Sequence, residues 1–129
     1  MSTPTKPPHN PGFQALVDDA KTRVKQIDID GYKKMVDAKE ALLLVDVRED
    51  NEWAAGHAKG AVHLGKGIIE RDIEKTVADK STTLVLYCGG GFRSALAGDA
   101  LLRMGYNNVI SLDGGWRAWN QAGLPVEKP

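Results

Sequence analysis

The spacing of apolar residues along the chain switches between a helical period and short unbroken runs. Phe13, Leu16, Val17, Ala20, Val24 and Ile27 recur near helical spacing and predict one amphipathic helix. Asp28 or Asp30 can cap a second, short helix reaching about residue 39, with Tyr32, Met35 and Val36 turned inward. Leu42-Leu43-Leu44-Val45 then breaks the period, and an apolar run without alternation fits a strand buried on both faces of a parallel sheet. Residues 46–60 are polar and turn-rich, with a short helical turn around 49–55. Residues 61–64 (AVHL) read as a brief strand, and Ile68, Ile69, Ile73 and Val77 give a helical pattern over 67–77. Residues 82–87 (TTLVLY) form a second buried strand, 92–104 a helix with Gly105 at the left-handed C-cap position, and 109–112 (VISL) a third strand. A last short helix over 116–121 is stopped by Gly123 and Pro125. Ahead of all this, residues 1–12 (MSTPTKPPHNPG) read as a flexible arm, leaving 13–129 as a single domain.

Strands alternate with helices and no segment repeats, which predicts an α/β domain with a central, mostly parallel sheet covered on both faces. Ligands of such sheets bind beyond the carboxyl ends of the strands, and Asp46 and Cys88 each end a predicted strand. A length of 129 residues suits one domain, and 42% apolar with 26% charged residues excludes wholesale disorder. Lys plus Arg and Asp plus Glu both number 17, so the charge balance points to neither nucleic acid nor an acidic membrane surface. No apolar run approaches the ~20 residues that span a bilayer, and the start lacks the apolar stretch of a secretory signal. The one cysteine, Cys88, forms no internal disulfide and fits a reducing compartment, so a cytoplasmic location is expected.

The chemistry concentrates in Tyr87-Cys88-Gly89-Gly90-Gly91-Phe92-Arg93-Ser94. A cysteine ends a strand, three glycines follow, and a helix begins. Glycines let the backbone curl with its N–H groups turned inward, and a ring of N–H groups at a helix N-terminus is an anion cradle. The amide ring and the helix dipole favour the thiolate, which is the nucleophilic form. Arg93 adds a positive charge at the end of the loop and Ser94 another donor. A lone cysteine is commonly a small buried hydrophobe, but three glycines after a buried strand are a poor choice for stability alone.

Cys88-x-x-x-x-Arg93-Ser94 resembles the active-site loop of rhodanese domains. Asp46-Val47-Arg48-Glu49, continuing through Glu52-Trp53, Gly56-His57 and Gly60-Ala61-Val62, looks like that family's first signature region. Leu112-Asp113-Gly114-Gly115-Trp116, with Trp119 and Gly123-Leu124-Pro125-Val126, looks like its C-terminal one. The resemblance spans roughly residues 27–127 and implies a three-layer rhodanese-like domain around a mostly parallel five-stranded sheet. It also implies sulfurtransferase activity of the thiosulfate type. Cys88 takes the sulfane sulfur of a donor such as thiosulfate as a persulfide, and cyanide or a thiol then removes it, a covalent exchange of the ping-pong kind. The loop from Gly89 through Gly90, Gly91, Phe92 and Arg93 to Ser94 holds the terminal sulfur. No metal or organic cofactor is implied, and the partners are the small sulfur donor and its acceptor, or a protein acceptor if the domain is a persulfide relay. Phosphatases and arsenate reductases of this fold carry a loop one residue longer, so the six residues from Cys88 to Arg93 favour sulfur over phosphate. A non-catalytic interaction domain ranks last, because such domains commonly lack the cysteine. Positions 89–91 are all glycine, so charge for an anionic donor has to come from Arg93, Arg48 or elsewhere.

Other polar residues have two readings each. Asp46 either bonds the loop or an arginine near the pocket, or caps the turn after its strand. Arg48 either binds an anionic donor or pairs with Glu49 or Glu52. His57 is read as holding the turn over 56–60. Trp53, Trp116 and Trp119 are read as core or pocket-wall packing, and Phe92 either shapes the pocket mouth or anchors its helix.

Overall fold

Every side chain of Leu84–Tyr87, strand β5, is fully buried. The computed structural model describes residues 10–129 and places β5 at the centre of a sheet. In chain order the elements are α1 (Pro11–Lys21), β1 (Lys25–Ile27), α2 (Ile29–Asp37), β2 (Leu43–Asp46), α3 (Asp50–Ala55), β3 (His57–Ala58), β4 (Val62–His63), α4 (Ile69–Thr76), β5, α5 (Phe92–Arg103), β6 (Val109–Leu112), α6 (Gly115–Gln121) and β7 (Val126–Glu127). The main sheet has the order β1-β6-β5-β2-β4, and all its pairings are parallel. β5 is in register with β2 (Tyr87 opposite Asp46) and with β6 (Leu86 opposite Ser111).

Alternation along β5 sorts the core into two layers. Leu84 and Leu86 join Val45, Ile69, Ile73, Ala97 and Leu101 beneath α4 and α5. Val85 and Tyr87 join Leu44, Tyr32, Ile110, Leu112 and Trp119 beneath α2 and α6. The expected three-layer α/β architecture with a five-stranded parallel sheet is what forms. α1 lies outside these layers and packs Val17 and Ala20 against Ala95 of α5. Among the described residues, no helix is long and apolar enough to cross a membrane.

The differences from the sequence reading are local. Residues 1–9 of the expected arm lie outside the described residues, and α1 begins at Pro11, inside the arm's predicted range. The first helix ends at Lys21 rather than continuing to Ile27. Thr22 Oγ1 donates to the Asp19 carbonyl and Arg23 pairs with Asp19 and Asp99, so the chain leaves the helix there. Lys25–Ile27 becomes the edge strand β1 beside β6. Leu16 and Val36, expected to face inward, are 62% and 48% exposed. β3 and β7, two residues each, pair antiparallel as a small second sheet that no period announces.

Two features hold the carboxyl edge of the main sheet. Asp46 is fully buried and accepts from Arg48 Nη2 at 2.8 Å, from the Arg48 backbone N–H at 2.8 Å and from the Tyr87 hydroxyl at 2.6 Å. Arg48 Nη2 also donates to the Gly56 carbonyl, and Tyr87 Oη accepts from the Ala58 N–H. Second, α6 is stitched to the loop after β5: the Trp116 N–H donates to the Cys88 carbonyl at 2.7 Å and the Arg117 N–H to the Gly89 carbonyl at 3.2 Å. Gly115 makes this approach possible, since its φ is +46° and a Cβ there would overlap the Cys88 carbonyl oxygen.

Arg48→Met leaves the Asp46 carboxylate buried without its cation, and removing one partner of such a pair is expected to destabilise by about 3–5 kcal/mol. Urea unfolding of Arg48→Met, Asp46→Asn and the double variant checks this. The double variant should lose less than the sum of the two single losses, and a loss below about 1 kcal/mol for Arg48→Met would refute the role of the network. Gly115→Ala is expected to destabilise by about 1–3 kcal/mol through overpacking and strained backbone, read in the same experiment.

Candidate active site

β5 delivers Cys88 at its carboxyl end, and Gly89, Gly90 and Gly91 turn the chain into the N-terminus of α5. Gly91 has a φ of +102°, and a Cβ there would lie 3.4 Å from Asp113 Cα, the Gly114 nitrogen and the Leu112 carbonyl oxygen, so the position favours glycine. Cys88 is 1% exposed and sits at the floor of an open cleft of about 470 Å³. The Gly91 N–H donates to its sulfur at 3.1 Å and the Ser94 N–H at 3.4 Å. Ser94 Oγ lies 3.6 Å from Sγ, taking a hydrogen bond from the thiol. It also lies 2.7 Å from Ser111 Oγ, where either hydroxyl can donate. When Ser111 donates, the Ser94 hydroxyl is free to donate to an ionised sulfur. Two amides, a hydroxyl and the N-terminus of a 12-residue helix then converge on one atom, an arrangement that stabilises negative charge there.

Gly89, Gly90, Phe92, Arg93, Phe13 and Arg117 form the rest of the cleft lining. Arg93 makes a two-pronged ion pair with Glu52, Nη1 to Oε1 at 2.7 Å and Nη2 to Oε2 at 3.1 Å. The Arg93 guanidinium holds the Glu52 carboxyl below its usual range. A Cβ on Gly89 would lie 3.2 Å from Arg93 Nη2, so the guanidinium is laid across the glycine loop. Phe92 lines the mouth and also packs against Phe13, with ring centroids 6.0 Å apart, so both of its expected roles are met by one position.

The remaining candidates lie elsewhere. Asp46 both caps the turn at Arg48 and pairs with its guanidinium. Arg48 is 3% exposed, pairs with neither Glu49 nor Glu52, and stacks over the Trp116 ring at 4.4 Å; it does not line the cleft. Burial, reinforced by the bond to Asp46, raises the Tyr87 hydroxyl far above its ordinary pKa, so it stays a donor. His57 is buried, stacks on Trp53 at 3.4 Å and has Nδ1 3.1 Å from the Trp53 carbonyl. Trp119 is core, and Trp116 packs against the core cluster around Tyr87. Sequence reasoning passed over Ser111, Glu52 as the partner of Arg93, Phe13 and Arg117. Ser111 left a trace, as the polar residue in an otherwise apolar strand; the others meet the loop through tertiary packing that no spacing reveals.

A profile of the rhodanese-like domain matches residues 28–122. A thiosulfate sulfurtransferase of Vibrio cholerae, GlpE, is 34% identical over 101 residues, covering 78% of this chain and 92% of that protein. A sulfurtransferase of Allochromatium vinosum is 35% identical over 106 residues, covering 82% and 97%. Among solved structures, a protein of unknown function from Rhodopseudomonas palustris, described as a possible tyrosine phosphatase, superposes with a TM-score of 0.77 at 25% identity over 98% of both chains. The matched region contains the cysteine loop, its glutamate-paired arginine and the Gly114-Gly115 turn that closes on it, and the chain belongs to the rhodanese-like domain family.

Proposed function

We propose that the protein is a sulfurtransferase that carries sulfane sulfur on Cys88 as a persulfide and passes it to cyanide or a thiol. The convergence of the Gly91 and Ser94 amides on the Cys88 sulfur, at the floor of a cleft open to small molecules, carries this reading. Similarity to two sulfurtransferases supports it. In the first half-reaction the Cys88 thiolate attacks the outer sulfur of thiosulfate. The S–S bond of the donor breaks, a Cys88 S–S bond forms, and sulfite leaves with the bonding pair. In the second, cyanide attacks the outer sulfur of the persulfide, thiocyanate departs, and the thiolate returns. No net electrons are exchanged with a third party, and no general base is needed once the sulfur is ionised. The amides and the Ser94 hydroxyl then hold charge at Sγ or at the outer sulfur. A phosphatase reading, prompted by the Rhodopseudomonas neighbour, fits less well, because the loop from Cys88 to Arg93 has six residues and wraps closely around a single sulfur.

Incubation with thiosulfate or polysulfide should add about 32 Da, one sulfur, to the wild-type chain and nothing to Cys88→Ser, and cyanide should reverse the gain. Absence of any gain with either donor overturns the proposal. A second expectation concerns Arg93. Glu52→Gln releases the guanidinium to meet an anionic donor and should lower the KM for thiosulfate by about 2–5-fold, because an unpaired cation near the pocket attracts anions. The hydrogen bonds from Arg93 hold the Glu52 carboxyl below its usual range. It stays ionised down to pH values below the usual carboxylate range, so the pair persists from pH 5 to 9. The pH profile of sulfur loading in that window should therefore be free of a step that Glu52→Gln removes, and the appearance of one would count against the pair as described.

A further inference from the structure

Of the arginines near the loop, Arg48 is committed to Asp46 and Arg93 to Glu52. Arg117, exposed on the first turn of α6, lines the cleft and makes no ion pair among the described residues. Its backbone N–H is bonded to the Gly89 carbonyl at 3.2 Å, so the root of its side chain is fixed relative to the cysteine loop. Phe13 and Phe92 give the same cleft an aromatic wall, and Phe13 comes from α1, outside the family match of residues 28–122. The volume of about 470 Å³ lies within the roughly 300–1,000 Å³ of small-molecule sites. An inorganic sulfur anion would use the charge and leave the aromatic wall idle. A ligand that uses both has a carbon skeleton and an anionic group.

Building on the persulfide reading above, we infer that the preferred acceptor is an organic thiol bearing a carboxylate, with the carboxylate on Arg117 and the carbon skeleton against Phe13 and Phe92. Arg117 is then a specificity-determining residue. In the transfer, the acceptor thiolate attacks the outer sulfur of the protonated Cys88 persulfide. The Cys88 S–S bond breaks and an S–S bond to the acceptor forms. The proton stays on the transferred sulfur, and Cys88 leaves as the thiolate, so oxidation states exchange within the pair and no further reagent is required.

The test loads the full chain with polysulfide and follows loss of the added sulfur by mass spectrometry, with 3-mercaptopropionate or 2-mercaptoethanol as acceptor. These thiols are of similar size and differ in the carboxylate. The reading is the preference, the ratio of kcat/KM for the two, which cancels their intrinsic difference in reactivity when variants are compared. Arg117→Glu should cut the preference for the carboxylated thiol by at least ~10-fold, Arg117→Lys should restore most of it, and added salt should weaken it in the wild type. Phe13→Ala should raise the KM for both thiols and leave the preference in place. If Cys88 loads normally and Arg117→Glu leaves the preference unchanged, the acceptor assignment is wrong and the persulfide chemistry stands. If wild-type Cys88 never loads, the sulfur-transfer reading falls and takes this inference with it.

Discussion

The cysteine loop is shaped from outside itself. Three consecutive glycines have little conformational preference of their own, and fixing them is entropically expensive. The start of α6 imposes the shape, through the Trp116 and Arg117 amides on the Cys88 and Gly89 carbonyls, with Gly115 giving up its side chain so that the two backbones can meet. Gly91, with a φ of +102°, faces the same junction, where a Cβ would come within 3.4 Å of the Asp113 and Gly114 backbone. The last signature of the chain is thus part of the site without touching the sulfur. Gly115 is there because a Cβ at that position and the Cys88 carbonyl cannot share the same space.

Around this junction the charges are divided by task. The Asp46–Arg48 pair is sealed from water, with Tyr87, Gly56 and Ala58 completing its hydrogen bonds, and it joins β2, β5 and the small second sheet. A buried pair of this kind is weak as a source of net stability, yet it is unforgiving of the loss of one partner, which makes it a register device. Glu52 on α3 holds Arg93 across the glycine loop and keeps the guanidinium from roaming into solvent. Arg48 and Arg93 are therefore both engaged in ion pairs that hold the sheet edge and the loop, while Arg117 lines the cleft beside Arg93 with no ion pair among the described residues.

The sequence makes the centre of this molecule readable and its margins less so. The apolar runs at 42–45, 82–87 and 109–112 are read as strands, and form β2, β5 and β6, because a strand buried on both faces has few polar positions to confuse the pattern. The cysteine loop was legible for a related reason: glycine and cysteine at a strand-to-helix junction have few structural uses. The first strand was hidden because Val24 and Ile27 continue the helical period of α1, and its strand character comes from pairing with β6, more than 80 residues away. Arg48 was misplaced because sequence proximity favoured Glu49 and Glu52, whereas the turn after β2 folds its guanidinium back onto Asp46. Phe13 and Arg117 reach the cleft only once α1 has docked on α5 and α6 has docked on the loop, contacts set by packing and not by any local pattern.

The docking of α1 has an evolutionary corollary. Phe13 borders the cleft from a helix outside the sheet that packs on α5 through Val17 and Ala20 against Ala95 and through Phe13 against Phe92. Changes at the exposed tip of that helix alter the wall of the cleft while the amides around Cys88 stay where α6 puts them. The wall of the cleft and the shape of the cysteine loop are thereby lodged in separately mutable stretches of polypeptide, α1 for the one and the start of α6 for the other.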